Sequence, residues 1–266
     1  MSKLKEAFVK KTTRVPFIPF ITAGYPTEEA TIELASLLEK EGAIALELGV
    51  PYSDPLADGP VIQFVSQEAL KQGMNVEKAI DLVKKMRNQG IRIPIILFSY
   101  YNPVLRRGIS QLLSRFRNAG GDGVIIPDLP VEESKEFIKA CHQHALSFIP
   151  LVAPTSKQRI EKIVATADSF VYCVSSLGVT GERKTFNHLI DHFIRDVREH
   201  TLLPLAVGFG ISTREQVEQL IPMADGLIIG SALLKKIIDV NEWLSDEEKK
   251  EKGYELIKKF LQELFS

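Results

Sequence analysis

The chain has 266 residues, with 33 Lys and Arg against 34 Asp and Glu and a formal net charge of −1. So even a balance, with no basic block, argues against nucleic acid as a partner, because nothing concentrates the charge that phosphate neutralisation requires. Cys141 and Cys173 lack metal-ligand spacing, residues 1–11 lack the apolar centre of a secretory signal, and no run approaches the roughly 18 apolar residues of a membrane span, so a reduced, cytoplasmic protein is expected.

Residues 2–11 have helical spacing, with Leu4, Ala7 and Phe8 on one side, and read as a cap under the first strand. Residues 15–23, VPFIPFITA, form an apolar strand, and residues 27–41 an amphipathic helix with Thr27 as N-cap and Glu28-Glu29 in the first turn. The pattern then recurs, with strands near 43–48, 93–98, 123–127, 147–152, 169–174, 203–208 and 225–230, each followed by helical spacing. Eight strands in strict alternation with helices predict a single (β/α)8 barrel of the TIM type, in one domain over residues 1–266, with an extra N-terminal helix. The second unit is lengthened by an acidic loop and a further helix, the sixth by residues 175–187. Long excursions on the strand-end face of a barrel suit lids and binding loops. The charged tail, 241–266, reads as an outer helix with Leu256, Phe260 and Leu264 on its packed face.

Chemistry concentrates after the second strand. Ala43-Ile44-Ala45-Leu46-Glu47-Leu48 is an apolar run carrying one acid, and Gly49, Pro51 and Pro55 then break regular structure before a helix opens at Pro60. An ionised carboxylate in such a strand is expensive without partners, so Glu47 is expected to hold its proton near neutral pH. Asp58, on the wetter loop, is expected to stay ionised. One carboxyl on rigid backbone and one on a loop suit a reaction needing a proton donor or acceptor and a charge stabiliser. Asp54 reads as a loop contact. Isolated strand acids are often satisfied ion pairs, and that reading stays open for Glu47 by itself.

The sixth, seventh and eighth strands end in Gly178-Val179-Thr180-Gly181, Gly208-Phe209-Gly210 and Gly230-Ser231. Adjacent glycine-rich strand ends of a barrel are the usual seat of a phosphate, held by backbone N–H groups that side chains would obstruct. The third strand ends in Phe98-Ser99-Tyr100-Tyr101-Asn102-Pro103 and the fourth in Pro127-Asp128. Large apolar residues fill every barrel interior, so Phe98 and Ile125 fit core as well as pocket wall. No predicted strand carries a lysine for Schiff-base chemistry; the nearest, Lys184, is in the loop after strand six. His142, His144, His188, His192 and His200 fall in or beside helices and form no metal cluster.

The run Leu46-Glu47-Leu48-Gly49-Val50-Pro51-Tyr52-Ser53-Asp54-Pro55-Leu56-Ala57-Asp58-Gly59-Pro60 resembles the signature of the tryptophan synthase alpha subunit family, and the resemblance extends over essentially the whole chain. It implies retro-aldol cleavage of indole-3-glycerol phosphate to indole and glyceraldehyde 3-phosphate. Glu47 is implied as acid/base and Asp58 as stabiliser of charge on the indole nitrogen. Phe20, Phe98, Tyr100 and Ile125 would line the indole pocket, where Phe98 is bulkier than the implied aliphatic residue. Tyr172 corresponds to an active-site tyrosine, Thr180 to the lid residue that meets Asp58 on closure, and Gly181, Gly210, Gly230 and Ser231 to phosphate contacts, with the Phe209 amide nearby.

A pyridoxal-phosphate beta subunit receiving indole through a tunnel is implied as partner, in an assembly of two alpha and two beta subunits. Asp54, Pro55, Asn102 and Pro103 would lie at that contact, and the chain itself would need no metal or organic cofactor. A stand-alone lyase releasing indole and a non-catalytic regulatory barrel are the alternatives; intact Glu47, Asp58 and Thr180 argue against the second.

Overall fold

In the computed structural model, residues 2–9, 15–174, 188–208 and 210–265 are described. Helix α1 (Lys3–Val9) precedes strand β1 (Phe17–Thr22), helix α2 (Glu28–Lys40) and strand β2 (Leu46–Gly49). Helices α3 (Pro60–Lys71) and α4 (Val76–Asn88) both follow β2, as the length of the second unit predicts, and lead to β3 (Ile95–Phe98). Then come α5 (Tyr101–Arg107), α6 (Ile109–Asn118), β4 (Gly123–Ile125), α7 (Lys135–Gln143), β5 (Ser147–Phe148), β6 (Leu151–Val152), a 3-10 turn and α8 (Ile160–Val164). The chain finishes with β7 (Val171–Val174), α9 (His188–Glu199), β8 (Leu205–Gly208), α10 (Arg214–Leu220), β9 (Gly226–Ile229), α11 (Ser231–Asp239), α12 (Asn241–Leu244) and α13 (Lys250–Phe265). Among the described residues, no helix is long and apolar enough to cross a membrane.

All pairings are parallel, in the order β5-β4-β3-β2-β1-β9-β8-β7-β6. The predicted fifth strand, 147–152, is thus two short segments, and the reason lies at Pro150, which has no N–H to donate. The segment still closes the barrel: the Ile149 N–H donates to the Val124 carbonyl at 3.0 Å on one side, and the Pro150 carbonyl accepts from the Tyr172 N–H at 3.1 Å on the other. Nine strand segments therefore make eight staves of a TIM barrel.

Alternation along the strands sorts the side chains into two layers. Leu46, Leu48, Ile95 and Leu97 face the helices, whereas Ile18, Ala45, Ile96, Ile125, Ile149, Phe170, Ala206 and Ile228 pack together inside the barrel. Leu4 of α1 joins the inner group, fully buried, so α1 plugs the N-terminal end of the barrel rather than merely lying under the first strand. Gly123 makes room for it: a Cβ there would stand 2.7 Å from Leu4 Cδ1. Thr27 caps α2 as expected, accepting from the Ala30 N–H at 3.1 Å. The tail packs through the expected residues and a wider face beside them: Leu256 and Phe260 are half-buried against the core, Leu264 is buried, and Ile257, Leu261 and Phe265 are buried too, Phe265 stacking on Phe17 at 4.4 Å.

Candidate active site

Glu47 enters the barrel because β2 alternates: Leu46 and Leu48 point to the helices, so the residue between them points inward, over Ala45. Its ladder neighbours are Phe20 and Ile96. It is 1% exposed, and Oε1 is buried with no hydrogen-bond partner among the described residues. Burial raises its pKa to about 8, since no partner offsets the loss of water from the ionised form. Among the described residues no ion pair holds this strand acid.

Asp58 reaches the same mouth from the loop after β2. Two turn hydrogen bonds shape the loop, from the Leu56 N–H to the Asp54 carbonyl at 3.0 Å and from the Asp58 N–H to the Pro55 carbonyl at 3.1 Å. Gly59 and Pro60 then open α3, and Gln63 Nε2 donates back to the Asp58 carbonyl at 2.8 Å. The Tyr100 hydroxyl donates to the Asp58 carboxyl and accepts from the Ala57 N–H at 2.9 Å. Asp58 is half-buried rather than wet, and burial lifts its pKa to about 6 against the lowering effect of Tyr100. At neutral pH the two acids therefore divide as the sequence suggested, Glu47 mostly protonated and Asp58 mostly ionised. Tyr172 lies close enough to feel both: its phenol pKa is raised by burial, then by the charges of Glu47 and of Asp58.

Around these groups, Phe20 meets Phe98 edge to face at 5.4 Å, and its ring fills the space over Gly49, where a Cβ would stand 2.4 Å from Phe20 Cζ. Phe98 is half-buried at the mouth; Ile125, in register with it, is fully buried within the inner core. The Tyr172 ring lies across Gly208, whose absent side chain leaves it room. Gly210 adopts φ +63°, with nothing among the described residues within 4 Å of its Cβ position. Gly230 is the N-cap of α11 and supplies no side chain to satisfy the first amides, beginning at Ser231, the kind of helix start that suits an anion. Thr180, Gly181, Phe209 and Lys184 lie outside the described residues.

Asp54 is exposed and accepts from Ser53 Oγ at 2.6 Å, and Asn102 is exposed and donates to the Tyr52 hydroxyl at 3.0 Å. Pro55 and Pro103 are half-buried on the same rim, beside Leu56 and Leu105, which are 93% and 53% exposed. His142 pairs with Asp168 and His144 with Ser110, both at 2.9 Å and away from the mouth, and among the described residues no group of three His, Cys, Asp or Glu side chains is placed to hold a metal.

Two residues of the mouth had no sequence signal. Thr22, in register with Gly49, is buried with an unpartnered Oγ1, and Tyr52 stacks on Tyr100 at 5.1 Å across 48 positions of chain. Only strand alternation carried any hint of Thr22, and nothing local marks Tyr52.

Comparisons with known proteins identify the family. The sequence profile described as tryptophan synthase alpha chain matches residues 7–264. The chain belongs to the tryptophan synthase alpha chain family. It is 53% identical to the tryptophan synthase alpha chain of Halalkalibacterium halodurans over 266 residues, covering 100% of both chains. It is 53% identical to that of Bacillus subtilis strain 168 over 232 residues, 87% of each. Among solved structures, the tryptophan synthase alpha subunit of Legionella pneumophila str. Paris superposes with a TM-score of 0.87 at 32% identity, covering 99% of this chain and 98% of that one. A chain from the tryptophan synthase α2β2 complex of the hyperthermophile Pyrococcus furiosus gives 0.83 at 34% identity, covering 95% and 99%. As a tryptophan synthase alpha chain, the protein is a lyase.

Proposed function

We propose that the chain cleaves indole-3-glycerol phosphate to indole and glyceraldehyde 3-phosphate. The observation that carries this reading is the pair of carboxyls at one barrel mouth with separated proton affinities, Glu47 at about 8 and Asp58 at about 6. For indole to leave, its C3 must gain a proton while positive charge develops on the ring, and the glycerol hydroxyl on the cleaved carbon must lose its proton as the aldehyde forms. Neutral Glu47 gives its proton to C3, and the resulting carboxylate takes the hydroxyl proton, which returns Glu47 to its starting state. Ionised Asp58 accepts the indole N1–H and stabilises the ring charge in a site from which water is excluded. Phe20, Phe98, Tyr100 and Ile125 flank the indole, Tyr172 lies near enough to both acids to feel their charge, and the α11 amides at Gly230 and Ser231, with Gly210 and the family's Gly181 and Phe209 positions, take the phosphate. Thr180 would meet Asp58 when the loops close.

The reaction uses this chain's own acid and base and calls for neither metal nor organic cofactor. Two buried free thiols, Cys141 and Cys173, suit the reducing cytoplasm. The Pyrococcus furiosus neighbour is described as part of an α2β2 complex. We assign the same kind of partner here, a beta subunit that receives the indole and docks on the rim of Asp54, Pro55, Asn102 and Pro103.

Indole release by the purified chain, with and without a beta subunit, tests this reading. Slow cleavage that rises strongly with the partner, and falls by about 10²–10⁴ in Glu47→Gln, is expected for loss of a general acid–base. Fast cleavage without a partner would make it a stand-alone lyase, and no cleavage in either condition would leave a regulatory barrel.

A further inference from the structure

The loop that carries Asp58 is tied to the neighbouring strand end by a contact that the cleavage mechanism does not use. Tyr52, three residues after β2, lays its ring on Tyr100 with centroids 5.1 Å apart and planes at 28°. Its hydroxyl accepts from Asn102 Nδ2 at 3.0 Å. Tyr100 and Asn102 flank the first residue of α5, so both contacts are made to one rigid helix start. From the other edge of the Tyr100 ring, the hydroxyl engages the Asp58 carboxyl and the Ala57 N–H. Residues 52 to 58 are thus gripped at both ends by the same strand end.

We infer that Tyr52 is a positioning residue for Asp58, closing a Tyr52–Tyr100–Asn102 clasp that orients the Tyr100 hydroxyl toward the carboxyl. The inference deepens the proposed function and rests on its assignment of Asp58. Two arguments favour it over a merely structural stack. The Tyr100 hydroxyl already accepts the Ala57 N–H at 2.9 Å beside the Asp58 carboxyl, and the Tyr52 ring stacked on Tyr100 covers one face of the ring that carries it. A donor aimed at a carboxylate stabilises the charged form, so loosening the ring changes the proton affinity of Asp58 as well as the loop. Among the described residues, the ionisable groups that act on this donor and acceptor are Tyr100 and Asp128 from the third and fourth strand ends, Glu47 from β2 and Tyr172 from β7. Asp128 is itself occupied, accepting the Tyr101 N–H at 2.8 Å.

The test follows the Asp58 carboxyl directly by carbon NMR in the full chain labelled at aspartate, assigned with Asp58→Asn, alongside the pH profile of kcat/KM for indole-3-glycerol phosphate. Tyr52→Leu is expected to move the Asp58 midpoint upward and to carry the acid limb of kcat/KM up with it. It should also lower kcat/KM on the plateau by about 10- to 100-fold, the scale of a misaimed catalytic group. Tyr52→Phe keeps the ring and loses only the Asn102 bond, so it should recover most of the loss. Tyr52→Phe and Asn102→Ala should each give a small upward shift, with no further shift when combined, because they remove the same bond.

An unchanged Asp58 midpoint in Tyr52→Leu, or activity lost equally at every pH, would overturn the inference. If Tyr52→Leu does not fold, the milder pair decides, and a null or additive result there overturns it as well. A shifted midpoint in a chain that cleaves nothing would retain the clasp and reject the lyase reading instead.

Discussion

Glu47 places an ionisable group in the barrel interior where its Oε1 has no partner among the described residues, and that has a thermodynamic signature separate from catalysis. The folded pKa is about 8 against an ordinary 4.5, so between those values the unfolded chain has released this proton and the folded chain retains it. A raised acid contributes stability that is complete below the unfolded value and is lost as pH rises through the folded one. Glutamine at the same place carries no such burden. The stability of Glu47→Gln relative to the parent should therefore increase by about 1.4 kcal/mol for each pH unit between pH 5 and pH 8, and level off above. Urea titrations of both proteins across that range measure it, and a difference independent of pH would mean that the carboxyl finds water or a partner. Asp58→Asn, half-buried and on the loop, should show a much weaker trend while losing cleavage about as severely. At this scale the sequence was most informative about cost: an acid inside an apolar run stands out because its burial is expensive. The contacts that hold Asp58 were illegible for the converse reason, since Tyr52 and Tyr100 lie 48 positions apart and only the fold sets them ring to ring.

Strands and helices carried their own signals more fully, and the exceptions have local causes. Period-two alternation and the Thr27 cap marked the first βα unit, but a proline inside the fifth strand divided its pairing between two neighbours without opening the barrel. The packed stripe of the tail is wider than its spacing showed: Leu256 and Phe260 lie half-buried against the core, and Ile257 and Leu261 beside them are fully buried. The role of α1 was visible only in part, because the spacing showed an apolar side but could not show it entering the barrel. Leu4 has no solvent exposure and packs against Ile18, Ile96 and Phe170. Leu4→Ala should therefore cost about 2–5 kcal/mol of stability, the range for emptying a buried leucine site. Gly49→Ala, by contrast, adds volume: the new methyl group meets the Phe20 ring and drives it into the site. It should cost about 1–3 kcal/mol by overpacking and should raise KM for indole-3-glycerol phosphate more than Leu4→Ala does. Thermal unfolding and steady-state kinetics on the pair separate the two ends of the barrel; equal effects on KM would show that the plug and the mouth are not mechanically distinct.

For the molecule as a whole, the proposed function asks the C-terminal face to do two things at once, hold a substrate and meet a partner, and its exposed side chains suggest a division between them. Leu56 is 93% exposed between Asp54 and Asp58, and Leu105 is 53% exposed at the end of α5. Each lies on an element that also carries a residue of the clasp or of the chemistry. Neither contributes to the barrel core, so folding gives no reason for leucine at either place. Isolated exposed leucines are ordinary; what distinguishes these two is that they border the half-buried Pro55 and Pro103 on one rim. A partner seated there would bury them and, by pressing on residues 52 to 58, steady the Asp58 carboxyl that Tyr100 holds. Leu56→Asp tests this division. A charge at a contact that should be dry raises the beta-subunit concentration needed for half-maximal activation by about tenfold or more, whereas cleavage by the free chain and its unfolding midpoint stay near the parent values. A matched change at Leu202, fully exposed on the loop before β8, should leave activation unaltered. Were Leu56→Asp to activate normally, the partner would have to approach from another part of the barrel, and the exposed rim would lose its assignment.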